Sequence, residues 1–577
     1  MKFGPWCAVA LLLTSGATYA QSTTGMVWGQ VTDIQGMPVP GARITATSPN
    51  LQGTRETLTS ANGHYVIPLL PSGSYTVVFE LSGFGPQTRT MNIAPTQMAR
   101  IDVELGPAAV SETVQVAGRA TNALMDTSQV ATSFGQELIA NLPTARDIHA
   151  ALMLSPSVHA TGPAGAYSIA GSMSFENLFL VNGVTVNENL RGQAYDLYIE
   201  DAIQETTVAT AGISAEYGRF GGGVVNIVTK SGGNRFSGSF RDTLNNDNWR
   251  RMTPFEETAI NGLGGRDLRV DKVVPTYEYT LGGPVVRDRL WFFTAGRLQA
   301  QESGRSTVVT SIPYTFTETG RRFEYKGTYA ARPGHSVQGT LIRSQRTQEN
   351  NTFNVNLSMD LASLGTRDLP EDLLAWQYTG VVASSVFVEG RCSSRHQSFI
   401  RSGSRFTDLE HGTLLIDRSR GNTRYWAETL CGVCDEEGRD NENIFVKGSY
   451  FLSTAGAGSH TMTVGYDYFN DKRLANNHQS GSDYRILGTS TIIQGTGASS
   501  VIYPQFLGDG STIIQWNPIL LDSLGSNFRT HSVFYNDSWR VSDRLTANFG
   551  VRYDKNDGAD QAATIVTTDY AWSPRFG

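Results

Sequence analysis

Three cysteines and one histidine are the residues of this chain whose spacing could bind a metal ion. Cys431 and Cys434 form a C-x-x-C pair, and Cys392 precedes His396 by four positions. Thiolate sulfur and imidazole nitrogen at such spacings are ligands of tetrahedral zinc sites. In an oxidising compartment, however, a closely spaced cysteine pair is expected to form a disulfide. We therefore predict a disulfide between Cys431 and Cys434 in a polar loop, and no metal site.

Other residue sets that could carry out chemistry do not have the required spacing. His64 and Glu80 are not arranged as H-E-x-x-H, so a zinc hydrolase site is not expected. The glycines between 218 and 223 do not follow G-x-G-x-x-G, and Thr229-Lys230-Ser231 lacks the glycines of a phosphate-binding loop. No Ser/His/Asp set is evident either. The sequence therefore predicts no catalytic residue, no cofactor and no enzyme activity.

The composition argues against nucleic acid as a partner and is compatible with a membrane β-barrel. The 577 residues carry a net charge of −7, with no long basic run. A mean hydropathy of −0.24 suits a soluble protein and equally a barrel, whose strands alternate apolar and polar residues. The 60 glycines, 22 tyrosines and 26 phenylalanines favour the barrel, because turns need glycine and membrane interfaces collect aromatic rings.

Residues 1–20 have the pattern of a secretory signal peptide. Lys2 provides a positive charge, an apolar run follows at 7–13, and Ala20 ends a small-residue cleavage site. No later segment holds the uninterrupted apolar run of about 18 residues that a transmembrane helix needs. An exported chain rich in aromatic residues and without such helices is expected in the periplasm, outside the cell or in the outer membrane.

Residues 25–106 show short alternating strands separated by turns, which predicts a small β-sandwich. Asn62-Gly63 and Pro71-Ser72-Gly73 are the clearest turns. The runs GQVTDIQGMPVPGARIT, SANGHYVIPLL and PSGSYTVVFELSGF resemble the carboxypeptidase regulatory-like domain family, which has a carbohydrate-binding-like fold. The resemblance implies a packing or docking domain and no peptidase activity.

Residues 119–233 have a mixed α/β pattern. Two short helices are predicted at 136–142 and 145–153, followed by short strands and an Asn182-Gly183 hairpin turn. The runs SIAGSMSFENLFLVNGV and SAEYGRFGGGVVNIVTKSGGN resemble the plug domain of Oar-like TonB-dependent receptors. The family usually has Asp where this chain has Asn182, which leaves the turn intact but removes a charge.

The second of these runs is expected to form the junction between plug and barrel. Its glycines are expected to let the backbone approach the barrel wall closely. The predicted junction residues are Glu216, Tyr217, Gly218, Arg219, Gly221, Gly222, Gly223, Thr229 and Lys230.

Residues 107–118 form a linker with an unusually apolar, β-branched centre. Such a segment can add itself as an edge strand to the sheet of a partner. Its position before the plug makes it similar to a TonB box, the segment by which a periplasmic protein pulls on these receptors; an ordinary strand is the alternative. The segment comprises Glu112, Thr113, Val114, Gln115 and Val116.

From 234 to 577 the pattern changes to long alternating strands, as expected of an antiparallel transmembrane β-barrel with about a dozen strands. At its end Ala547, Phe549 and Val551 share one face, whereas Thr546, Asn548, Gly550 and Arg552 share the other. Short turns alternate with long segments at 246–275, 346–374 and 470–530, which we expect to be extracellular loops. Plugged transporters close with about 22 strands, so we expect this chain to be a fragment or a truncated product with an open edge near 569–576.

The fold class is therefore mainly β: a β-sandwich, a small α/β plug and a partial outer-membrane barrel surrounded by lipid. The resemblance implies ligand-gated uptake that is energised by a TonB-type periplasmic protein. The ligand is left open as an oligosaccharide, a peptide or a chelated metal. A surface adhesin or carbohydrate-binding protein of the outer membrane is the alternative.

Overall fold

The computed structural model describes residues 24–577, except for 50, 72, 94–97, 108–128, 137, 139–150, 163–165, 189–198, 256, 259–266, 353–356, 435, 455–457 and 543–544. The predicted signal peptide, the TonB-box-like residues Glu112 to Val116 and most of the two predicted plug helices lie outside the described residues. Within the described part, no helix has both the length and the apolar character needed to cross a membrane.

The N-terminal unit is a sandwich of two sheets. One sheet has the order β4-β1-β7, with β8 also paired to β1, and the other has the order β3-β2-β5-β6. Alternate residues of β2 and β5, such as Ile44 and Phe79, are fully buried between the sheets. The sequence did not reveal β3 and β6, because both are edge strands with largely polar side chains. The strands are β1 (Thr24–Asp33), β2 (Arg43–Thr47), β3 (Arg55–Leu58), β4 (His64–Pro71), β5 (Gly73–Glu80), β6 (Gln87–Ile93), β7 (Met98–Arg100) and β8 (Val103–Leu105).

The next unit contains a five-stranded sheet with the order β13-β12-β15-β14-β9. Strands β12 and β15 are parallel and buried on both faces, as their continuous apolar runs suggest. Short 3-10 turns occur at Ser174–Glu176 and Glu200–Ala202. The strands are β9 (Val130–Gly135), β10 (Val158–His159), β11 (Ser168–Ile169), β12 (Leu178–Val181), β13 (Val184–Thr185), β14 (Ile203–Ala211) and β15 (Val224–Thr229).

The largest element is a twelve-stranded antiparallel sheet that surrounds this unit, with its strands paired in chain order and its two edges not paired to each other. Side chains alternate between two environments: Glu324 and Lys326 are buried inside, whereas Tyr325 and Tyr329 are exposed outside. The strands are β16 (Ser237–Asn245), β17 (Val274–Val286), β18 (Leu290–Ser306), β19 (Pro313–Arg332), β20 (His335–Asn351), β21 (Gly365–Ala383), β22 (Val386–Phe399), β25 (Glu437–Thr454), β26 (Gly458–Leu474), β31 (Ser526–Ser542), β32 (Leu545–Ala559) and β33 (Ile565–Phe576).

The prediction of a long loop at 346–374 was wrong for most of its residues. Strand β20 continues to Asn351 and β21 begins at Gly365, so only the segment between them is a connection. The acidic residues and Pro370 of β21 resemble a loop composition. They are tolerated in the strand because both buried carboxylates are paired: Glu371 with Arg395 on the inner face, and Asp368 with Arg401 on the opposite face.

Short and long connections lie at opposite ends of the barrel sheet. The long connections 400–436 and 475–525 together form a small sheet with the order β24-β23-β27-β30, which we call the loop sheet, and a separate β28-β29 hairpin. Further 3-10 turns occur at Asp247–Trp249, Leu361–Ser363, Arg418–Arg420 and Gly497–Ser499. The loop strands are β23 (Leu414–Asp417), β24 (Thr423–Tyr425), β27 (Tyr484–Gly488), β28 (Thr491–Gln494), β29 (Val501–Pro504) and β30 (Ile513–Trp516).

We predict that residues 24–107 fold on their own, because their core is complete within the sandwich. Replacing the buried ring in Phe79→Ala should lower the free energy of unfolding by about 3–5 kcal/mol. Urea unfolding of this fragment, followed by circular dichroism, measures the change. Glu80→Ala is the matched control: the neighbouring side chain is exposed, and its loss should cost less than about 0.5 kcal/mol. The absence of a cooperative transition, or equal effects of the two substitutions, would contradict the prediction.

Candidate functional site

The segment after β14 contacts the inner face of the barrel sheet through both apolar and charged groups. Ala215 is buried between Phe445 and Phe534, and its backbone N–H donates to Asn536 Oδ1 at 2.9 Å. The following residue, Glu216, accepts a hydrogen bond from Lys447 Nζ at 2.9 Å. The same ammonium group lies 3.6 Å from Glu389 of β22. Within two residues the segment therefore contacts β25 and β31 directly, and β22 through Lys447.

A second attachment centres on Asp467 of β26. We call Asp467, Arg219 and Arg552 the Asp467 cluster. The carboxylate oxygen Oδ2 accepts from Arg219 Nη1 at 2.7 Å and from Arg552 Nη2 at 2.9 Å. Its other oxygen accepts from Asn443 Nδ2 at 2.7 Å. Arg552 also donates to the carbonyl oxygen of Glu216 at 3.0 Å, and Asp554 lies 2.8 Å from its Nε. Two guanidinium groups thus balance two carboxylates at a site where Asp467 and Arg552 are fully buried.

The predicted junction glycines have different neighbours. A Cβ at Gly218 would overlap the guanidinium group of Arg552, so any side chain there would have to displace that group from its ion pairs. At Gly222 and Gly223 a Cβ would instead overlap Ser172 and Ile169 of the plug itself, and at Gly221 there is room for one. Only Gly218 therefore serves close approach to the wall.

Tyr217 packs into the apolar core of the plug with Leu178, Ile213 and Val224. Burial raises the pKa of its hydroxyl well above the ordinary value. The side chain therefore remains neutral and anchors the segment from the plug side, while its neighbours Glu216 and Arg219 contact the barrel.

Thr229 and Lys230 form a separate contact at the end of β15. Lys326 of β19 donates to the carbonyl oxygens of Thr229 and Lys230 at 3.0 and 2.9 Å, and Thr229 Oγ1 donates to Glu324. Asn182 has a positive φ of 50° in the hairpin turn. Its amide accepts from the Thr229 N–H at 2.9 Å and donates to Thr229 Oγ1 at 2.9 Å. Only an amide can do both, which gives Asn182 a role that a carboxylate could not fill.

The sequence did not reveal further ion pairs between plug and wall. Glu200 contacts Arg297 and lies 3.7 Å from Arg322, and Glu188 lies 2.6 Å from Arg439. The barrel partners of the junction, including Asp467, Lys447 and Lys326, were also missed. The sequence signal for these barrel residues was the alternation of polar and apolar side chains along the strands. It predicts inward-facing charges but does not identify their partners.

The remaining predicted site lies in the loops. A disulfide joins Cys431 and Cys434, with their Cα atoms 5.4 Å apart. Cys392 is buried in β22 and takes no part in this bond, while His396 Nδ1 lies 2.8 Å from Asp440 Oδ1. Among the described residues, no three His, Cys, Asp or Glu side chains are grouped so that they could hold a metal ion.

This arrangement can hold a plug firmly and still release it. Separating apolar surfaces exposes them to water at a cost that grows with area. Separated charges, by contrast, regain hydration as water enters, which offsets part of the lost attraction. The ion-paired part of the interface therefore resists spontaneous opening but remains reversible when it is pulled apart.

We predict that Asp467→Asn destabilises the chain, because Arg219 and Arg552 would remain buried without their shared carboxylate. Breaking a buried ion pair costs about 3–5 kcal/mol, which should appear as a lower midpoint of thermal unfolding in detergent. Asp522→Asn, in an exposed loop position, is the control and should change the free energy by less than about 0.5 kcal/mol. Equal midpoints for the two variants would show that the Asp467 cluster does not hold the plug.

Comparison with known proteins assigns each unit to a described family. The carboxypeptidase regulatory-like domain model matches residues 26–106, the TonB-dependent receptor plug domain model matches 123–225, and an outer membrane beta barrel domain model matches 315–569. The TonB-dependent transporter Oar of Myxococcus xanthus is 27% identical over 98% of this chain and 60% of its own length.

Solved structures share the fold. The siderophore receptor PirA from Acinetobacter baumannii superposes with a TM-score of 0.52 at 16% identity, covering 77% of this chain and 58% of that one. The outer membrane transporter YddB from Escherichia coli gives 0.50 at 16% identity, with the same coverage. The chain thus spans about 60% of the length of the relatives it matches. With three domain families in this order and similarity to an Oar transporter along nearly its whole length, the chain has the domain organisation of an Oar-like TonB-dependent receptor of the outer membrane, with an N-terminal carboxypeptidase regulatory-like domain.

Proposed function

We propose that this chain acts in ligand-gated, energy-coupled uptake across the outer membrane, with a TonB-type periplasmic protein as its partner. The observation that carries the proposal is the ion-paired contact between plug and barrel wall, centred on Asp467. In this proposal 119–233 is the movable plug, 234–577 contributes the wall, and 107–118 connects the plug to the sandwich. Work comes from the partner, so no catalytic residue is required.

The connectivity of the plug supports the transmission of an applied force from residues 107–118 to the contact between plug and barrel. Residues 112–116 precede β9, which lies at the edge of the plug sheet and, among the described strands, pairs with β14 alone. A pull on this segment therefore acts first on β9 and then on β14. Strand β14 leads directly to the segment that contains Glu216 and Arg219. The pull is consequently passed from β14 both to β15, with which it pairs, and along the chain to the Asp467 cluster, before it reaches β12.

We predict that Val114→Pro abolishes capture of the detergent-solubilised chain by an immobilised TonB C-terminal domain. Strand addition uses the backbone N–H groups of the added segment, and proline removes one of them and restricts φ. Val114→Ile keeps the backbone and the β-branched side chain, so it should be captured like the unaltered chain.

Failure of the unaltered chain to bind the TonB domain would refute the uptake proposal and favour the alternative of an adhesin or carbohydrate-binding surface protein. Capture that is equal for the proline and isoleucine variants would leave the partner in place but refute the assignment of 112–116 as its binding segment.

A further inference from the structure

The loop sheet has an exposed edge strand that nothing in the described chain covers. Strand β30 pairs with β27 on one side and with no described strand on the other. Its sequence, Ile-Ile-Gln-Trp, has neither a charge nor a proline, which are the usual protections of a free edge. The exposed fractions are 46% for Ile513, 59% for Ile514 and 59% for Trp516. An unprotected edge of this kind is a template for pairing with another extended chain.

The register shows which backbone groups are available at this edge. Tyr484 lies opposite Trp516 in the antiparallel pairing, and Asn517 donates its backbone N–H to the Asp483 carbonyl at 2.9 Å. In an antiparallel ladder the residues that bond to one neighbour alternate with those that point away from it. Gln515 and Ile513 therefore bond to β27, and Ile514 and Trp516 direct their N–H and C=O groups outward. Neither group of these two residues has a hydrogen-bond partner among the described residues.

The side chains beside the edge provide an aromatic surface. The rings of Trp516 and Tyr484 stack with their centroids 6.2 Å apart and an interplanar angle of 21°. Ile514 lies on the same face of the sheet, two residues away. Leu520 and Leu521 follow with exposed fractions of 86% and 81%. An added strand would therefore cover apolar surface as well as forming backbone hydrogen bonds.

Two arginines give the two ends of β30 a positive charge. Arg418 Nη2 donates to the Ser511 carbonyl at 2.6 Å. Arg485 Nη2 reaches Gln515 Oε1 and Asn517 Oδ1 at 2.9 and 3.0 Å. All these acceptors are neutral, and within the described chain neither guanidinium group lies within ion-pair distance of a carboxylate. Because these charges are uncompensated, they favour a partner with negative side chains.

We infer that β30 captures an extended polypeptide segment with acidic side chains, which adds to the loop sheet as a fifth strand. Ile514 and Trp516 supply the backbone hydrogen bonds, Trp516 and Tyr484 the apolar contact, and Arg418 and Arg485 the charge selectivity. The inference depends on the proposed function in one respect only: that function places the long loops, and therefore β30, outside the cell. It identifies a peptide as the class of ligand that the loops bind first.

The test uses fluorescence anisotropy with the purified, detergent-solubilised chain and a labelled seven-residue peptide of alternating valine and glutamate, blocked at both termini. One version carries N-methyl groups on the valines and another on the glutamates. Because only alternate N–H groups of an added strand face β30, one version should bind about tenfold more weakly and the other nearly as well as the parent. Replacing glutamate by lysine should weaken binding by about tenfold as well.

Variants of the chain address the other side of the contact. Ile514→Pro removes an N–H that points away from β27, so it leaves the existing ladder intact and should weaken peptide binding about tenfold. Ile514→Ala keeps that N–H and should lose less than about threefold, since only part of an apolar contact is removed. An unchanged thermal transition of both variants would show that the loop sheet remains folded.

Three results would overturn the inference: no saturable binding of the parent peptide at millimolar concentration, equal effects of the two methylation patterns, or equal binding by the proline and alanine variants. Concentration-dependent self-association that Ile514→Pro abolishes would identify a second copy of the chain as the occupant and would also overturn it. None of these measurements involves the TonB domain, so failure here is distinguishable from failure of the uptake proposal.

Discussion

The lack of water in the lipid interior is the constraint on which the rest of this structure depends. A backbone N–H or C=O group that faces lipid must be paired within the protein, and a sheet of long antiparallel strands satisfies this requirement between neighbours. Because successive residues of a strand point to opposite faces, the same sheet turns one set of side chains to the lipid and the other inward. Tyr325 and Tyr329 of β19 lie on the first face, and Glu324 and Lys326 of the same strand lie on the second.

The polar inner face determines how a plug can be held. A soluble domain enclosed by such a wall cannot rely on apolar packing alone, because much of the wall consists of charged and amide side chains. The described contacts agree with this expectation: Glu188, Glu200 and Glu216 each approach a cation of the barrel, and Asp467 of the barrel approaches Arg219. Apolar contacts supplement these pairs. Ala215 packs with Phe445 and Phe534, Ile199 and Ala202 pack with Phe293 and Ala295, and the plug core extends to Ile342 and Leu373 of the barrel.

The long loops are not subject to the lipid constraint that applies to the strands they connect. Outside the lipid they are free to leave an edge unpaired, because water can satisfy its backbone groups. Charged groups are also less costly there. Arg418 and Arg485 are tolerated without carboxylate partners because water and neutral acceptors satisfy their guanidinium groups. An unpaired edge and unpaired charges are both present at β30, where an open backbone edge, an aromatic pair and uncompensated positive charge occur together.

Local patterns in the sequence were sufficient to predict the fold type of each unit, because such patterns depend on residues that are close together along the chain. Alternation predicted most barrel strands and assigned Arg552 to the polar face, and Asn182-Gly183 predicted a tight turn. The patterns were insufficient where the deciding partner was distant in sequence. Strand β21 was missed because Asp368 and Glu371 resemble loop residues until Arg401 and Arg395 are known to face them. Arg219 meets Asp467 across 248 positions, and Arg552 meets the Glu216 carbonyl across 336. Such contacts, and the exposed edge of β30, follow from strand register and from the pairing of separate loops, which only the tertiary structure determines.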